Sequence, residues 1–318
     1  MDEMKKLGVA VIGTGFWGRN HVRVLNSLKD AKVVGICDTD LKRAKQVGTR
    51  YEIEYYRSLD EILSREDVDA VTICTPTTTH KDVADKVIEA GKDVFIEKPL
   101  ASTSQEARGL LSFAKRKRIR VAVGFVERYN PAVRYIKKLI DKKELGKIIL
   151  AIARRVTRWP VRIGDVGVTK DSAIHDIDVM RYLVGGDVKT VYARTGRLVH
   201  KFEDFSEMLL NFSGGEIGFI DANWLTPRKI RRLTITGSEA TATIDYVTQE
   251  TVVEYSKRSI VPRIKFEEPL RLELESFVES ILIGKQPSAS GEDGLKALEV
   301  CEAALKSGAT GQVVQVSS

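Results

Sequence analysis

The chain has 318 residues, 43% of them apolar, enough to bury the cores of two domains, and 51 basic against 44 acidic side chains leave a formal charge of +7. That excess favours anionic small ligands but is too evenly spread to read as a nucleic-acid surface, and no apolar run has the length of a membrane span or the placement of a signal region. Three widely separated cysteines, Cys37, Cys74 and Cys301, suggest neither a disulfide framework nor a zinc site and fit a reducing, cytoplasmic compartment.

In chain order, short β-branched runs come first: Gly8–Ile12, Val33–Cys37, Ile53–Tyr55, Ala70–Cys74, Asp93–Ile96 and Val121–Gly124. Helical stretches separate them, one with an apolar face of Val83, Val87 and Ile88 that ends at Gly91, another marked by Leu110, Leu111 and Ala114. Successive βαβ units predict an α/β domain over 1–124, a doubly wound parallel sheet. The densest basic run, Lys115 to Arg120, falls where a helix ends, and cations there complement the helix dipole. Beyond 124 the pattern changes to helices near Ala132–Ile140 and Ser172–Leu183, then alternating strands from Val188 to Glu254. A final helix over Glu292–Lys306 is expected to stop at Gly308. This predicts an α+β domain over 125–318 on a largely antiparallel, open-faced sheet, with the last helix (about 292–307) able to pack back toward the first domain. The open face is expected to mediate self-association as a dimer or tetramer.

The first run leads directly into Gly13-Thr14-Gly15-Phe16-Trp17-Gly18. Gly13 permits a tight turn, Gly15 lets a phosphate approach the backbone, and Gly18 lets the next helix pack on the strand. The helix opening near Phe16 and Trp17 would aim its unpaired N–H groups at a dinucleotide pyrophosphate. Asp38, 20 residues past Gly18 at the end of the second run, is placed to accept a hydrogen bond from the adenosine ribose. Its charge would repel a 2′-phosphate, so NAD is expected over NADP; Lys42 and Arg43 follow closely and soften that discrimination or stand solvated.

Two further constellations carry chemistry. Lys98, in Glu97-Lys98-Pro99, follows a predicted parallel strand at the sheet edge where the glycine loop also lies, and its ammonium pKa would move readily with burial. Asp171 and His175 stand four residues apart, on one face of a helix. A helical His beside Ile174 and Ile177 is ordinarily a hydrogen-bonded core residue. With no second His or Cys ligand set nearby, no metal is expected.

Together the glycine loop, Cys74-Thr75-Pro76 with His80, Glu97-Lys98-Pro99 and Asp171-x-x-x-His175 resemble, in order and over essentially the whole chain, the glucose-fructose oxidoreductase / inositol dehydrogenase (Gfo/Idh/MocA) family. The resemblance implies an NAD-dependent sugar or polyol dehydrogenase with an N-terminal Rossmann domain and a C-terminal open-faced sheet. It implies catalytic roles for Lys98, Asp171 and His175, and places Thr75, Pro76, His80 and Glu97 around the nicotinamide half of the cofactor. The stretch from Arg154 to Val168, with Arg154, Arg155, Arg158, Trp159 and Arg162, is similar to the branch that oxidises C3 of UDP-N-acetylglucosamine or its uronic acid. Clustered arginines suit a diphosphate, and Trp159 would wall a sugar or uracil ring. Read as residues alone, the same stretch is an edge strand with solvated arginines followed by a loop. A free sugar or inositol substrate, or a non-catalytic NAD-binding regulator, would be the competing readings.

Overall fold

The computed structural model describes residues 6–158 and 165–316, and the chain divides into two compact units. Unit 1 comprises residues 1–125 and Leu270–Leu295; unit 2 comprises Val126–Pro269 and Lys296–Ser318. A single cut at residue 124 therefore omits 270–295, which clusters with the first unit.

Unit 1 runs β1 (Leu7–Ile12), α1 (Phe16–Leu25), β2 (Ala31–Cys37), α2 (Leu41–Tyr51), β3 (Tyr55–Tyr56), α3 (Leu59–Leu63), β4 (Ala70–Ile73), α4 (His80–Glu89), β5 (Asp93–Ile96), α5 (Ser104–Lys117) and β6 (Val121–Val123). The strands form one parallel sheet in the order β3-β2-β1-β4-β5-β6. Every residue of β1 is buried, as in a sheet covered on both faces. β3 forms two residues later than the apolar run at Ile53 suggests, because Ile53 is buried at the end of α2 instead of pairing with β2. α5 starts on a side-chain cap: Thr103 Oγ1 accepts from the Glu106 N–H (3.1 Å), and Glu106 Oε2 reaches back to accept from the N–H of Ser102, just before the cap (3.0 Å). Lys115, Arg116 and Lys117 fill its last turn, the helix-terminal placement expected for that basic run.

Unit 2 begins with α6 (Pro131–Asp141) and β7 (Ile148–Arg158), followed by α7 (Ile174–Val184). Strands β8 (Val188–Gly196), β9 (Phe205–Phe212), β10 (Ile217–Asn223), β11 (Leu225–Gly237), β12 (Ala240–Asp245), β13 (Thr251–Tyr255) and β14 (Arg258–Ile260) come next. The chain then enters α8 (Pro269–Leu282), α9 (Gly291–Thr310) and β15 (Val314–Gln315). A nine-stranded sheet has the order β14-β13-β12-β11-β7-β10-β9-β8-β15, antiparallel except for β7 beside β10. Buried and exposed positions alternate along β8, β9 and β10, so one face carries the core and the other stays open. Two sequence expectations fail here. β7 is central, paired on both sides, and not an edge strand. Gly308 does not stop α9, which runs to Thr310; a Cβ at 308 would overlap Thr195 of β8, so this glycine serves close packing, and the positive φ of 69° falls at Gly311.

Candidate active site

In unit 1 the carboxyl ends of β1, β2, β4 and β5 carry the motifs, since all four strands run parallel. Gly13 has φ +87°, and a Cβ there would lie 2.8 Å from the Cys74 carbonyl, while a Cβ at Gly18 would overlap the Gly13 carbonyl oxygen. A Cβ on Gly15 would meet nothing within 4 Å. The first turn of α1 has neither a side-chain cap nor an acidic residue, so its N–H groups are suited to an anion. These features fit a dinucleotide: loop and helix would hold its pyrophosphate, with Phe16 exposed and edge-on to Trp17 beside them.

Asp38 does more than await a ribose. Its Oδ2 accepts from Thr14 N (2.7 Å) and Thr14 Oγ1 (2.8 Å), tying the glycine loop to the end of β2, and its Oδ1 accepts from Asp40 N (2.9 Å). Arg43 stands 3.5 Å from the same Oδ2. A carboxylate offers about four lone-pair directions, so capacity for one ribose hydroxyl persists on Oδ1.

Beyond β4 and β5, side chains expected around the cofactor lock the loops. The buried His80 ring reaches the Pro99 carbonyl through Nδ1 (2.8 Å) and the Thr75 carbonyl through Nε2 (2.9 Å), joining the Thr75-Pro76 turn to the segment after Lys98. Both carbonyls only accept, so both bonds form together only with the doubly protonated ring. Glu97 is also buried: Oε1 pairs with His21 Nε2 (3.0 Å), and Oε2 accepts from the half-buried Lys98's N–H (3.3 Å). His21, which the motif reading missed, stacks edge-on against Phe95 at 5.3 Å. Its only sequence signal is a histidine among the inward positions Gly18, Val22 and Leu25 of α1. Burial, and then Glu97, push the Cys74 thiol well above its ordinary value, which makes it a poor nucleophile.

In unit 2 a π turn over Thr169–Ala173 precedes α7, three residues earlier than the predicted start at Ser172. Asp171 lies in this turn and His175 in the α-helix proper; a four-residue separation still spans roughly one turn of the wider i→i+5 helix. The head of the helix is fixed from outside. Glu203 accepts from the Thr169 N–H (3.1 Å) at its Oε1 and from the Val168 N–H (3.0 Å) at its carbonyl, and a Cβ on Gly167 would overlap that carboxylate. The buried Trp224 donates from Nε1 to Ser172 Oγ (3.2 Å), which donates in turn to Asp171 Oδ2 (3.0 Å). Indole N–H only donates, so the direction of both bonds is set. His200 packs edge-on to Trp224 at 5.5 Å, its loop gathered by Asp204. Burial alone would raise the Asp204 pKa, but hydrogen bonds from the Val199, Leu198 and His200 N–H groups hold it below the usual carboxylate range. Ser172 adjoins Asp171 in sequence; Trp224 and Glu203 carry no local signal at all.

The arginine cluster divides. Arg155 is buried and saturated: Nε and Nη2 reach Asp176 (2.6 and 3.2 Å), Nη1 reaches Glu127 (2.9 Å), and its guanidinium lies 4.9 Å from the Tyr246 ring centroid. Arg154 pairs with Asp221 at 2.8 Å on the open sheet face. Neither fits the expected diphosphate contacts, because each is already held by carboxylates. Arg158 is exposed at the end of β7, whereas Trp159 and Arg162 lie outside the described residues. Asp178 pairs with Arg128 (Nε to Oδ2, 3.0 Å), so the acidic residues one and three positions after His175 are buried ion-pair partners. Among the described residues no cluster of His, Cys, Asp and Glu could hold a metal ion, and no helix is long and apolar enough to cross a membrane.

A family model described as an oxidoreductase family with an NAD-binding Rossmann fold matches residues 7–125, and a GFO/IDH/MocA C-terminal domain model matches 133–243. The scyllo-inositol 2-dehydrogenase (NAD⁺) of Bacillus subtilis strain 168 is 32% identical over 96% of this chain and 95% of its own length. The UDP-N-acetylglucosamine 3-dehydrogenase of Acidithiobacillus ferrooxidans is 26% identical over 93% of this chain and 95% of its own. A solved structure of that 3-dehydrogenase superposes with a TM-score of 0.89 at 25% identity, covering 97% of this chain and all of that one (100%).

Proposed function

The chain belongs to the Gfo/Idh/MocA family of NAD-binding oxidoreductases, and we propose that within it this protein oxidises the C3 hydroxyl of a UDP-N-acetyl-hexosamine, UDP-N-acetylglucosamine or its uronic acid, to a 3-keto sugar. The observation that carries the catalytic part is the polar chain from Trp224 through Ser172 to Asp171, which fixes a carboxylate one turn before His175. An unused surface carboxylate would have no need of so directed a set of donors.

Oxidation of a carbinol separates a hydride from carbon and a proton from oxygen. Bound NAD⁺ supplies the hydride acceptor. Lys98 and His175 are the groups assigned to receive the hydroxyl proton, and Asp171 keeps positive charge close to the developing alkoxide. Preference for NAD over NADP is supported by the Asp38 carboxylate at the end of β2.

The open face of the unit 2 sheet supports self-association. Tyr192, Leu209, Phe219 and Ile152 are register neighbours across β8, β9, β10 and β7, forming an apolar row on the exposed side. A row of Arg194, Glu207, Asp221, Arg154, Arg232 and Asp245 runs beside it. Free thiols at Cys37, Cys74 and Cys301 accord with action in the cytoplasm.

The deciding assay follows NADH production with UDP-N-acetylglucosamine, its uronic acid, free N-acetylglucosamine and myo- and scyllo-inositol. Turnover confined to the UDP-sugars is expected. Equal rates on the free sugar would remove the nucleotide-sugar assignment, and turnover of inositols alone would establish the second reading, which the 32% identity to an inositol dehydrogenase favours.

A further inference from the structure

We propose that Lys229 and Arg231 on β11 form the seat for an anionic group of the substrate, a phosphoryl or carboxylate oxygen, in the role the sequence suggests for the arginines of β7. The inference rests on the dehydrogenase reading for its substrate but on unit 2 alone for its geometry.

Arg155 and Arg231 are direct neighbours across the β7–β11 pairing. Asp176 and Glu127 already surround Arg155, and among the described residues Arg231 ion-pairs only with the same Glu127 oxygen, at 3.5 Å. Lys229, two residues along the strand, has no carboxylate within ion-pairing distance among the described residues. Arg231 thus shares its one hydrogen-bonded carboxylate and the exposed Lys229 has none among the described residues, Asp171 and Asp245 adding only coulombic attraction, so an anion between the two cations would gain charge-assisted hydrogen bonds. The titration behaviour agrees: Arg231, then burial, hold the Lys229 amine below its usual value, while burial and then Arg155 lower Arg231.

Backbone shape places the pair. β11 pairs with β7 at Leu225–Arg158 and next at Ile230–Val156, so Thr226, Pro227, Arg228 and Lys229 bulge outward opposite Thr157 alone. Asn223 Oδ1 secures the bulge by accepting from the N–H groups of Leu225 (3.2 Å) and Thr226 (3.1 Å) and from Thr226 Oγ1 (2.8 Å). The Asp171 carboxylate also acts on Arg231, favouring its charged form. Lys229 is exposed at the end of the anchored bulge, so an anion can reach it beside Arg231. A neutral polyol offers these two cations no counter-charge, whereas a sugar bearing phosphate or carboxylate does.

The test is calorimetric titration of the NAD-loaded protein with UDP, with D-glucuronate and with myo-inositol as the neutral control, in wild type and in Lys229→Met, Lys229→Arg and Arg231→Met. Charge-assisted hydrogen bonds of this kind set an expected loss of about tenfold or more in anion affinity for both Met variants. Lys229→Arg should recover it, and added salt should weaken binding by the wild type. Binding of UDP alone assigns the seat to phosphoryl groups, and binding of glucuronate alone to a carboxylate. Wild-type protein that binds neither anion, or Met variants that bind both as tightly as wild type, would overturn the proposal. Pair-dependent binding without NADH formation from any UDP-sugar supports the seat and rejects the C3-dehydrogenase reading separately.

Discussion

The glycine-loop edge of unit 1 and the helix-bearing core of unit 2 solve the same problem, fixing chemical groups in place, by opposite means. In unit 1 the backbone dominates: strand ends deliver each motif to one sheet edge, and Asp38, Glu97 and His80 lock neighbouring loops mostly through main-chain partners. In unit 2 charged side chains dominate: Asp176 and Asp178, flanking Ile177, are clamped by Arg155 and Arg128 within three residues of His175 in sequence. Backbone-held sites tolerate loss of one side chain better than a buried ion network does, because breaking a buried pair leaves an uncompensated charge.

The sharpest attack on this contrast removes the proton acceptors themselves. Lys98→Ala and His175→Ala should each lower kcat by about 10²–10⁴ while NAD still binds, as read by NADH formation and by cofactor fluorescence. Near wild-type turnover in both would end the assignment. Next in size, Arg155→Met strands Asp176 and Glu127; a loss of about 3–5 kcal/mol is expected, seen as a midpoint roughly 10 °C lower in thermal unfolding. A comparable loss from Thr14→Val would erase the distinction between the two units. Trp224→Phe keeps the ring but removes the indole donor, and about a tenfold fall in kcat without a change in NAD affinity is expected from steady-state kinetics. Thr14→Val itself should weaken NAD binding by about fivefold, since one hydroxyl bond to Asp38 is lost and the backbone bond stays.

The smallest expected effect concerns the open sheet face. Burial and then its cross-strand neighbour Asp221 raise the Glu207 pKa from 4.5 to about 7. An acid whose pKa rises on folding contributes stability that is complete below the unfolded value and disappears as pH climbs through the folded one. Between pH 5 and pH 8 the wild type should therefore lose about 2 °C of unfolding midpoint relative to Glu207→Gln. Parallel curves for the two proteins would show that these carboxylates do not interact.

Much of unit 1 was legible because its information is local. The run Asp93–Ile96 is a strand residue for residue, and the glycine spacing that announces a turn is the turn observed. The sequence reading identified Asp38 but not its grip on Thr14, because an Asp's hydrogen-bond partners across 24 residues leave no periodic trace. The Gly308 stop failed for a similar reason: a glycine near a helix end looks like a terminator until Thr195 of another strand is seen against it.

The strand-to-glycine-loop junction and the order of the motifs were thus determined by the amino-acid sequence alone, since they depend on neighbours a few residues away. Tertiary structure decided which charges are already satisfied. Arg155 meets its carboxylates 21 and 28 residues away, and only folding separates that saturated arginine from Arg231, which shares one of those carboxylates at 3.5 Å, and from the exposed Lys229.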